Sequence, residues 1–362
     1  MGPAVPLRDD LVGLSGYHSP QVEVDVRLNT NESPLPPPPE WLAELSEEIG
    51  RIEFNRYPDR QATRLRRALA EFHDVEPTQV FCANGSNEVL QCLLLAYGGA
   101  GRSAAVFEPA YALHRHIASL TATAVVSGWR APDYTLDLDV LDGVLDSHRP
   151  TITFLCSPNN PTGRAESPET MAHVLERAPG LVVVDEAYGQ FAPSSALDLL
   201  HRGGPDTERL VVVRTFSKTW SMAACRLGYL VAHPDVVEAC DAVALPYHLD
   251  AMTQAAGRLA LRHVAAMETR VALLKEERGR IVGALAELDV ESWPSDANFV
   301  LFRPLGRAAS DVWADLLASS VLVRDCSTWR GLDQCLRVTV GTPPENDRFL
   351  AALRSSLEVT TP

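Results

Sequence analysis

The 362-residue sequence lacks an excess of basic charge, because 47 acidic residues outnumber 32 lysines and arginines and the formal net charge is −15. A chain this acidic has no general attraction for phosphate backbones or anionic lipids, which argues against nucleic-acid and membrane-surface partners. It has no uncharged apolar run of about 18 residues, so we expect no transmembrane helix. Its first residues, MGPAVPLRDDLVG, lack the basic segment and apolar core of a signal peptide.

Paired cysteines are also missing, since none of the seven cysteines stands in a CxxC motif. We therefore expect no metal site and no redox pair of that kind. An odd number of cysteines in a chain without a signal peptide favours reduced thiols and a cytoplasmic location. The HExxH, GxSxG, Walker and GxGxxG motifs are absent as well, which removes the zinc-protease, α/β-hydrolase and common nucleotide-binding signatures.

Short apolar runs do alternate with helical patterns from about residue 78 onward. Continuous apolar runs are typical of strands buried on both faces, and alternation with helices predicts an α/β domain with a mostly parallel sheet. Polar motifs follow several of these runs, where open α/β sheets bind their ligands. The predicted strands are 80–83, 104–108, 123–127, 151–156, 181–185, 210–215 and 228–232.

The two ends of the chain have different patterns. Residues 1–40 are irregular and proline-rich, which predicts an extended arm. Residues 246–288 have the pattern of one long helix, and a smaller α+β segment follows, with strands at 298–302, 321–324 and 335–340 and a helix near 308–319. We predict an arm (1–40) that belongs to a small domain, a large domain (41–245), and an interdomain helix with the small C-terminal domain (246–362).

Four polar clusters follow predicted strands, and each has a plain structural alternative. Asn84-Gly85-Ser86-Asn87 opens a helix, where free N–H groups suit a phosphate, although a simple N-cap would use the same residues. The second cluster, SPNNPTG (157–163), could be turn chemistry alone. Asp185 at the end of an apolar run could be a solvated loop carboxylate, and Lys218 in RTFSK (214–218) could be a surface lysine rather than a Schiff-base nucleophile.

The order and spacing of these clusters are more specific than any one of them. Taken with RLGY (226–229), they resemble the fold-type I pyridoxal-phosphate aminotransferases of class I/II over nearly the whole chain. Further motifs narrow the resemblance to the histidinol-phosphate aminotransferase family. They are LNTNES (28–33), NRYPD (55–59), NGSNE (84–88), LPYHL (245–249), SDANFVLF (295–302) and VLVRD with CLRVTVGT (321–342).

The resemblance implies pyridoxal phosphate as cofactor and assigns a role to each matching position. Lys218 would bind the cofactor covalently and move the substrate proton, and Asp185 would pair with the pyridine N–H. Tyr188 and Asn159 would hydrogen-bond the 3′-oxygen, and Tyr111 would stack on the ring. The phosphate would be held by Gly85, Ser86, Asn87, Ser217 and Arg226, with Thr215 a weaker candidate. The chain departs from the family at Ala224-Cys225, where a glycine is common before the arginine.

The resemblance likewise implies the substrates and the assembly. Arg337 would bind the carboxylate of glutamate or 2-oxoglutarate, and Arg324 would bind the phosphate of histidinol phosphate or imidazole-acetol phosphate. The remaining substrate contacts would come from Tyr17, Asn31 and Tyr247. Tyr57 would reach the cofactor phosphate of a second subunit, so that a homodimer shares its sites. The segment 325–334 diverges from the family and leaves Trp329 and Arg330 without an assigned role.

Two other functions remain open from the sequence. An aminotransferase for aromatic or specialised-metabolite substrates would use the same cofactor residues. An amino-acid-phosphate decarboxylase of this fold would also bind a substrate phosphate. A transcription regulator with an aminotransferase-like domain is disfavoured, because a 40-residue proline-rich arm cannot supply a basic DNA-binding domain.

Overall fold

The computed structural model of the chain describes residues 5, 7–13, 16 and 21–358, so Tyr17 lies outside the described residues. The first strand, β1, spans Val26–Leu28. The predicted α/β core follows as β2 (Val80–Ala83), β3 (Ser103–Glu108), β4 (Ala124–Trp129), β5 (Ile152–Cys156), β6 (Leu181–Asp185), β7 (Leu210–Thr215) and β8 (Gly228–Ala232). All seven predicted core strands are therefore present, with ends that differ by two residues at most.

These seven strands form one sheet in the order β2-β8-β7-β6-β5-β3-β4. Neighbouring strands run parallel except for β8, which is antiparallel to both β2 and β7. Val182 and Val184 of β6 pack into one apolar cluster, whereas Val183 between them packs into another. Both faces of the sheet are thus covered, which explains why these strands are continuous apolar runs.

The helices cover the sheets and connect their strands. They are α1 (Pro39–Ile49), α2 (Thr63–His73), α3 (Ser86–Tyr97), α4 (Ala112–Leu120), α5 (Leu138–His148), α6 (Pro168–Arg177), α7 (Leu197–Arg202), α8 (Pro234–Val243), α9 (Ala251–Ala260), α10 (Val264–Leu285), α11 (Ala309–Ala318) and α12 (Pro343–Glu358). Within the described parts of the chain, no helix is both long enough and apolar enough to span a bilayer.

A second, five-stranded sheet combines both ends of the chain. It contains β9 (Val290–Ser292), β10 (Phe299–Pro304), β11 (Val321–Asp325) and β12 (Leu336–Thr339), in the order β1-β11-β12-β10-β9. Strand β1 pairs in parallel with β11, while the other neighbours are antiparallel. This pairing supports the expectation that the N-terminal arm belongs with the C-terminal segment. The exact division at residues 40 and 245 stays a prediction.

The prediction of one long helix over 246–288 is wrong, because the structure has two helices, α9 and α10, with a break at 261–263. Helix α9 packs on α1 and α2, whereas α10 contacts α12 and the five-stranded sheet, so the chain changes direction between them. Glu44 of α1 forms an ion pair with Arg262, and its carboxylate lies 3.4 Å from Nε2 of His263 at the break. These contacts are tertiary, and the local helical pattern does not indicate them.

Candidate active site

A cavity of about 360 Å³ lies beside the carboxyl ends of β5, β6 and β7. The large sheet contributes Asp185 at the end of β6 and Lys218 just after β7, and the small sheet contributes Arg337 of β12. The loop after β1 closes another side through residues 30–32. The cavity therefore forms where the two sheets meet, at the edge of the parallel sheet where ligands bind in open α/β folds.

Most of the predicted site residues line this cavity. Those predicted to bind the cofactor include Asp185, Tyr188, Thr215, Ser217, Lys218 and Arg226, together with Ser86, Asn87 and Tyr111. Of the predicted substrate residues, Asn31 and Arg337 line it. Among the predicted residues that the structure describes, those that do not form its wall are Tyr57, Gly85, Asn159, Tyr247 and Arg324.

Lys218 projects into the cavity from the loop after β7. Its Nζ donates to the Thr30 carbonyl oxygen at 3.1 Å and lies 5.8 Å from the centre of the Tyr188 ring. The pKa of Lys218 is lowered from 10.5 to about 8, chiefly by burial and also by the positive charges of Arg337 and Arg226, while Glu32 opposes this shift. A larger fraction of this amine is therefore neutral near pH 7 than for an ordinary lysine.

Asp185 is fully buried and is held by two donors. Its Oδ2 lies 3.0 Å from His114 Nε2, and its Oδ1 accepts from the Ala187 N–H at 3.1 Å. The His114 ring stacks on Phe154 with centroids 4.6 Å apart. The sequence interpretation missed His114, although its position one helical turn after Tyr111 could have indicated it. A buried carboxylate fixed in this way can accept a hydrogen bond from a ligand N–H.

Tyr188 sits at the centre of an amide network. Its hydroxyl oxygen accepts from Asn31 Nδ2 at 2.9 Å and from Asn160 Nδ2 at 3.4 Å. The structure corrects the prediction for Asn159, whose amide instead donates to the Pro109 carbonyl oxygen and to Thr162. The neighbouring asparagine, Asn160, lines the cavity because the turn directs the two side chains differently.

The amino end of α3 forms the opposite side of the cavity. Gly85 precedes it with φ of +80°, and a Cβ atom there would lie 2.8 Å from Nη2 of Arg226. Only glycine therefore allows the guanidinium to lie against this backbone, where the helix N–H groups and the arginine can share one anion.

The Thr215 hydroxyl donates to Ser217 Oγ at 3.0 Å on the neighbouring loop. Ala224 lies in the 3-10 turn Ala223–Cys225 on the cavity wall.

This arrangement fits pyridoxal phosphate at both of its ends. The positive charge of Arg226, beside the first N–H groups of α3, suits a phosphate. The Asp185 carboxylate and the Lys218 amine suit the pyridine nitrogen and the aldehyde. Tyr111 lines the cavity, with its hydroxyl donating to Asn87 Oδ1 at 3.2 Å.

Two arginines mark the small-sheet side. Arg337 donates to Asn160 Oδ1 at 2.5 Å and to the Asn29 carbonyl oxygen at 3.1 Å. Arg324 is its direct partner across the β11–β12 pair and is buried. Arg324 does not line the cavity, because Trp329 forms the wall there and packs on the Arg324 guanidinium. Its predicted contact with the substrate phosphate stays a prediction.

Tyr57 and Tyr247 lie together on the surface, outside the cavity. Tyr247 is predicted to line the substrate pocket, and it does not line the cavity of its own chain. The prediction for Tyr57 concerned a neighbouring subunit, so both stay predictions.

Known proteins with similar sequences agree with this chemistry. The family described as "Aminotransferase class I and II" matches residues 23–353. The chain therefore belongs to the class I and II aminotransferase family, and it is a pyridoxal-phosphate-dependent transaminase.

Within that family, its relatives are histidinol-phosphate aminotransferases. The one from Frankia casuarinae is 48% identical over 98% of this chain and 90% of its own. The one from Thermobifida fusca is 47% identical over 96% of this chain and 95% of its own. The crystal structure of histidinol-phosphate aminotransferase from Sinorhizobium meliloti in complex with pyridoxal-5′-phosphate is 22% identical. The superposition of the two structures covers 98% of each chain and has a TM-score of 0.89. The predicted fold-type I architecture is thereby confirmed.

Proposed function

We propose that this chain transfers an amino group between histidinol phosphate and 2-oxoglutarate, giving imidazole-acetol phosphate and glutamate, and so serves histidine biosynthesis. The observation that carries the proposal is the cavity in which Lys218, Asp185 and Arg337 meet. The close relatives, which carry the name of this activity at 47–48% identity over nearly the whole chain, support the choice of substrate.

The cofactor would be held by residues from both sides of the cavity. Bound pyridoxal phosphate supplies an electron sink for the carbon that carries the amino group. Asp185 would keep the pyridine nitrogen protonated, and the His114 contact would keep the Asp185 carboxylate aimed at it. Ser86, Ser217 and Arg226 would bind the phosphate. Tyr188 and Asn160 would hydrogen-bond the ring oxygen, in place of the Asn159 predicted from the sequence.

Lys218 would move the substrate proton. A general base has to lie within hydrogen-bond reach of the proton and to have a pKa near the working pH. The pKa of Lys218, lowered to about 8 chiefly by burial, meets the second condition. The carbonyl oxygen of Thr30, which accepts from Nζ, gives the amine a fixed direction between transfers.

The two arginines would recognise the anionic groups of the two substrates. Arg337 lines the cavity and offers its planar guanidinium to the carboxylate of glutamate or 2-oxoglutarate. Arg324 lies beside it on β11 and would attract the phosphate of histidinol phosphate. Both arginines belong to one sheet, and the strand pairing places their backbones opposite each other.

A homodimer with shared sites is part of the proposal. The exposed ring of Tyr57 does not reach its own cavity, and a second subunit would place it against the neighbouring cofactor phosphate. The dimer would also cover Tyr247, which stacks on Tyr57.

The test compares three reactions of the purified holoenzyme. Glutamate formation from histidinol phosphate and 2-oxoglutarate should exceed the same reaction with aromatic amino acids by orders of magnitude in kcat/KM. Carbon dioxide release from threonine phosphate should be absent. Preferred turnover of an aromatic amino acid would favour the specialised-metabolite alternative. Carbon dioxide release would favour the decarboxylase.

A further inference from the structure

Trp329 stands between the two arginines in the segment that diverges from the family. Its ring centre is 5.2 Å from Cζ of Arg324 and 5.8 Å from Cζ of Arg337. A guanidinium within about 6 Å of an indole centre is attracted by the negative face of the ring. One indole therefore interacts with both guanidinium groups, and it also forms part of the cavity wall.

The strand pairing explains why such a residue is needed. Arg324 and Arg337 are direct partners on the antiparallel strands β11 and β12, so their side chains leave the sheet on the same face. Like charges directly opposite each other repel, and both of these side chains are buried, where solvent screens little. Arg337 has a second aromatic neighbour, since Phe299 lies 5.0 Å from its Cζ.

The segment that carries Trp329 is itself firmly held. The Cys326 N–H donates to the Cys335 carbonyl oxygen at 3.0 Å, which closes the base of the loop. The Trp329 N–H donates to the Cys326 carbonyl oxygen at 2.9 Å. The Tyr134 hydroxyl, from the large-sheet side, donates to the Gly331 carbonyl oxygen at 3.3 Å. The backbone that carries the indole is thus held in place without a substrate.

We propose that Trp329 is a positioning residue that holds the Arg324 and Arg337 guanidinium groups in place for the anionic groups of the substrates. This inference rests on the proposed function, because it assumes that the two arginines bind a phosphate monoester and a carboxylate. The indole lowers the repulsion between the two cations and fixes their separation. Its loss should weaken anion binding while leaving proton transfer at Lys218 intact.

The experiment uses the holoenzyme and two probes, the dicarboxylate maleate and inorganic phosphate. Their dissociation constants are measured by calorimetry for Trp329→Leu, Trp329→Phe and the wild type. We expect Trp329→Leu to lower the affinity for both probes about tenfold, which corresponds to about 1.4 kcal/mol of binding free energy. Trp329→Phe keeps an aromatic face and should restore binding to within about threefold. The KM values for both substrates should rise in parallel, with the maximal single-turnover rate unchanged.

Trp129→Leu is the matched control. Trp129 also packs on an arginine of this segment, with Cζ of Arg330 5.5 Å from its ring centre, but it lies outside the cavity wall. If the rigidity of the segment were what matters, this variant would weaken the probes as much as Trp329→Leu does, and the proposal would be overturned. It would be overturned equally by wild-type affinities in Trp329→Leu, or by a failure of Trp329→Phe to restore binding.

Two further variants separate this inference from the proposed function. Arg324→Ala and Arg337→Ala should each weaken at least one probe. If they do so while Trp329→Leu binds normally, the Trp329 proposal alone fails. If neither arginine variant changes either affinity, the anion assignments of the proposed function fail, and this inference fails with them. If Trp329→Leu does not retain the cofactor, Trp329→Met provides a second non-aromatic side chain, with a volume close to that of leucine.

Discussion

Tyr57 and Tyr247 stack with ring centroids 4.5 Å apart and planes within 14° of parallel, although 80% of Tyr57 and 42% of Tyr247 are exposed. Phe54 and Leu245, close to them in sequence, are exposed as well. Exposed apolar side chains grouped in this way indicate an interaction surface. Their place outside the cavity agrees with a site that a second subunit completes.

The shared site predicts complementation between two inactive variants, Tyr57→Arg and Lys218→Ala. In a mixed dimer one site carries both defects and the other carries neither. Random exchange makes about half of the dimers mixed, so about a quarter of all sites should be active. The measurement is activity after subunit exchange, with exchange verified by native mass spectrometry on differently tagged subunits.

Each variant incubated alone under the same conditions serves as the control. No recovery despite verified exchange would contradict the shared site, as would a fully active monomer at the dilution of the assay.

Replacement of Arg324 should affect the two half-reactions differently. Arg324→Ala would remove a charge-assisted hydrogen bond worth about 1.5–3 kcal/mol, if this side chain binds the substrate phosphate. We expect kcat/KM for histidinol phosphate to fall about 10- to 150-fold, and the glutamate half-reaction to change much less. Stopped-flow absorbance of the cofactor measures both.

Arg303→Ala provides a matched control, because Arg303 of the same sheet also packs on a tryptophan, 5.2 Å from the centre of Trp293, away from the cavity. It should leave both half-reactions near wild type. Equal losses in the two half-reactions of Arg324→Ala would show that Arg324 is structural or serves the carboxylate.

The lowered pKa of Lys218 predicts an unusual pH dependence in the cofactor-free protein. The neutral amine is the reactive form, so acylation of Lys218 should rise with pH through about 8 and then level off. Lys275, the other lysine of the sequence, is exposed and acts as an internal standard. Competitive labelling with acetic anhydride and peptide mass spectrometry gives the reactivity of each.

Two charge variants test the sign with which neighbouring charges shift the pKa of Lys218. Arg337→Gln removes a positive neighbour and should move the midpoint for Lys218 upward, whereas Glu32→Gln should move it downward. A Lys218 midpoint equal to that of Lys275 would contradict the described burial of the amine.

The contact between His114 and Asp185 predicts a loss of stability when the histidine is replaced. His114→Phe leaves the buried Asp185 carboxylate with the Ala187 N–H as its remaining described donor. We expect the free energy of unfolding of the cofactor-free protein to fall by about 1–3 kcal/mol. Urea denaturation measures this change. His116→Phe on the same helix is the control, and an equal loss there would mean that the hydrogen bond is unimportant.

The sequence predicts the large sheet well because its strands are buried on both faces. Runs such as LVVVD (181–185) need no knowledge of the partner strands to be recognised. The break between α9 and α10 could not be predicted, since Glu44, which contacts Arg262 and His263 there, comes from a distant part of the chain. Hydrophobic periodicity continues through this break.

The sequence motifs predict which loops form the site, but they predict less well which side chain of a loop faces the cavity. Asn159 and Asn160 are adjacent and chemically identical, and only the shape of the turn decides that Asn160 faces the cavity. Trp329 has no counterpart among the motifs, because its role depends on two arginines that the β11–β12 pairing brings together.

The central claim is that Lys218 carries the cofactor, and borohydride reduction of the holoenzyme tests it most directly. Reduction should fix pyridoxal phosphate on the peptide that contains Lys218, and Lys275→Ala should label as the wild type does. Lys218→Ala should take up no label and should lose transamination, since Lys275 is the one other lysine of the sequence. Label on Lys275, or transamination that survives in Lys218→Ala, would contradict the account.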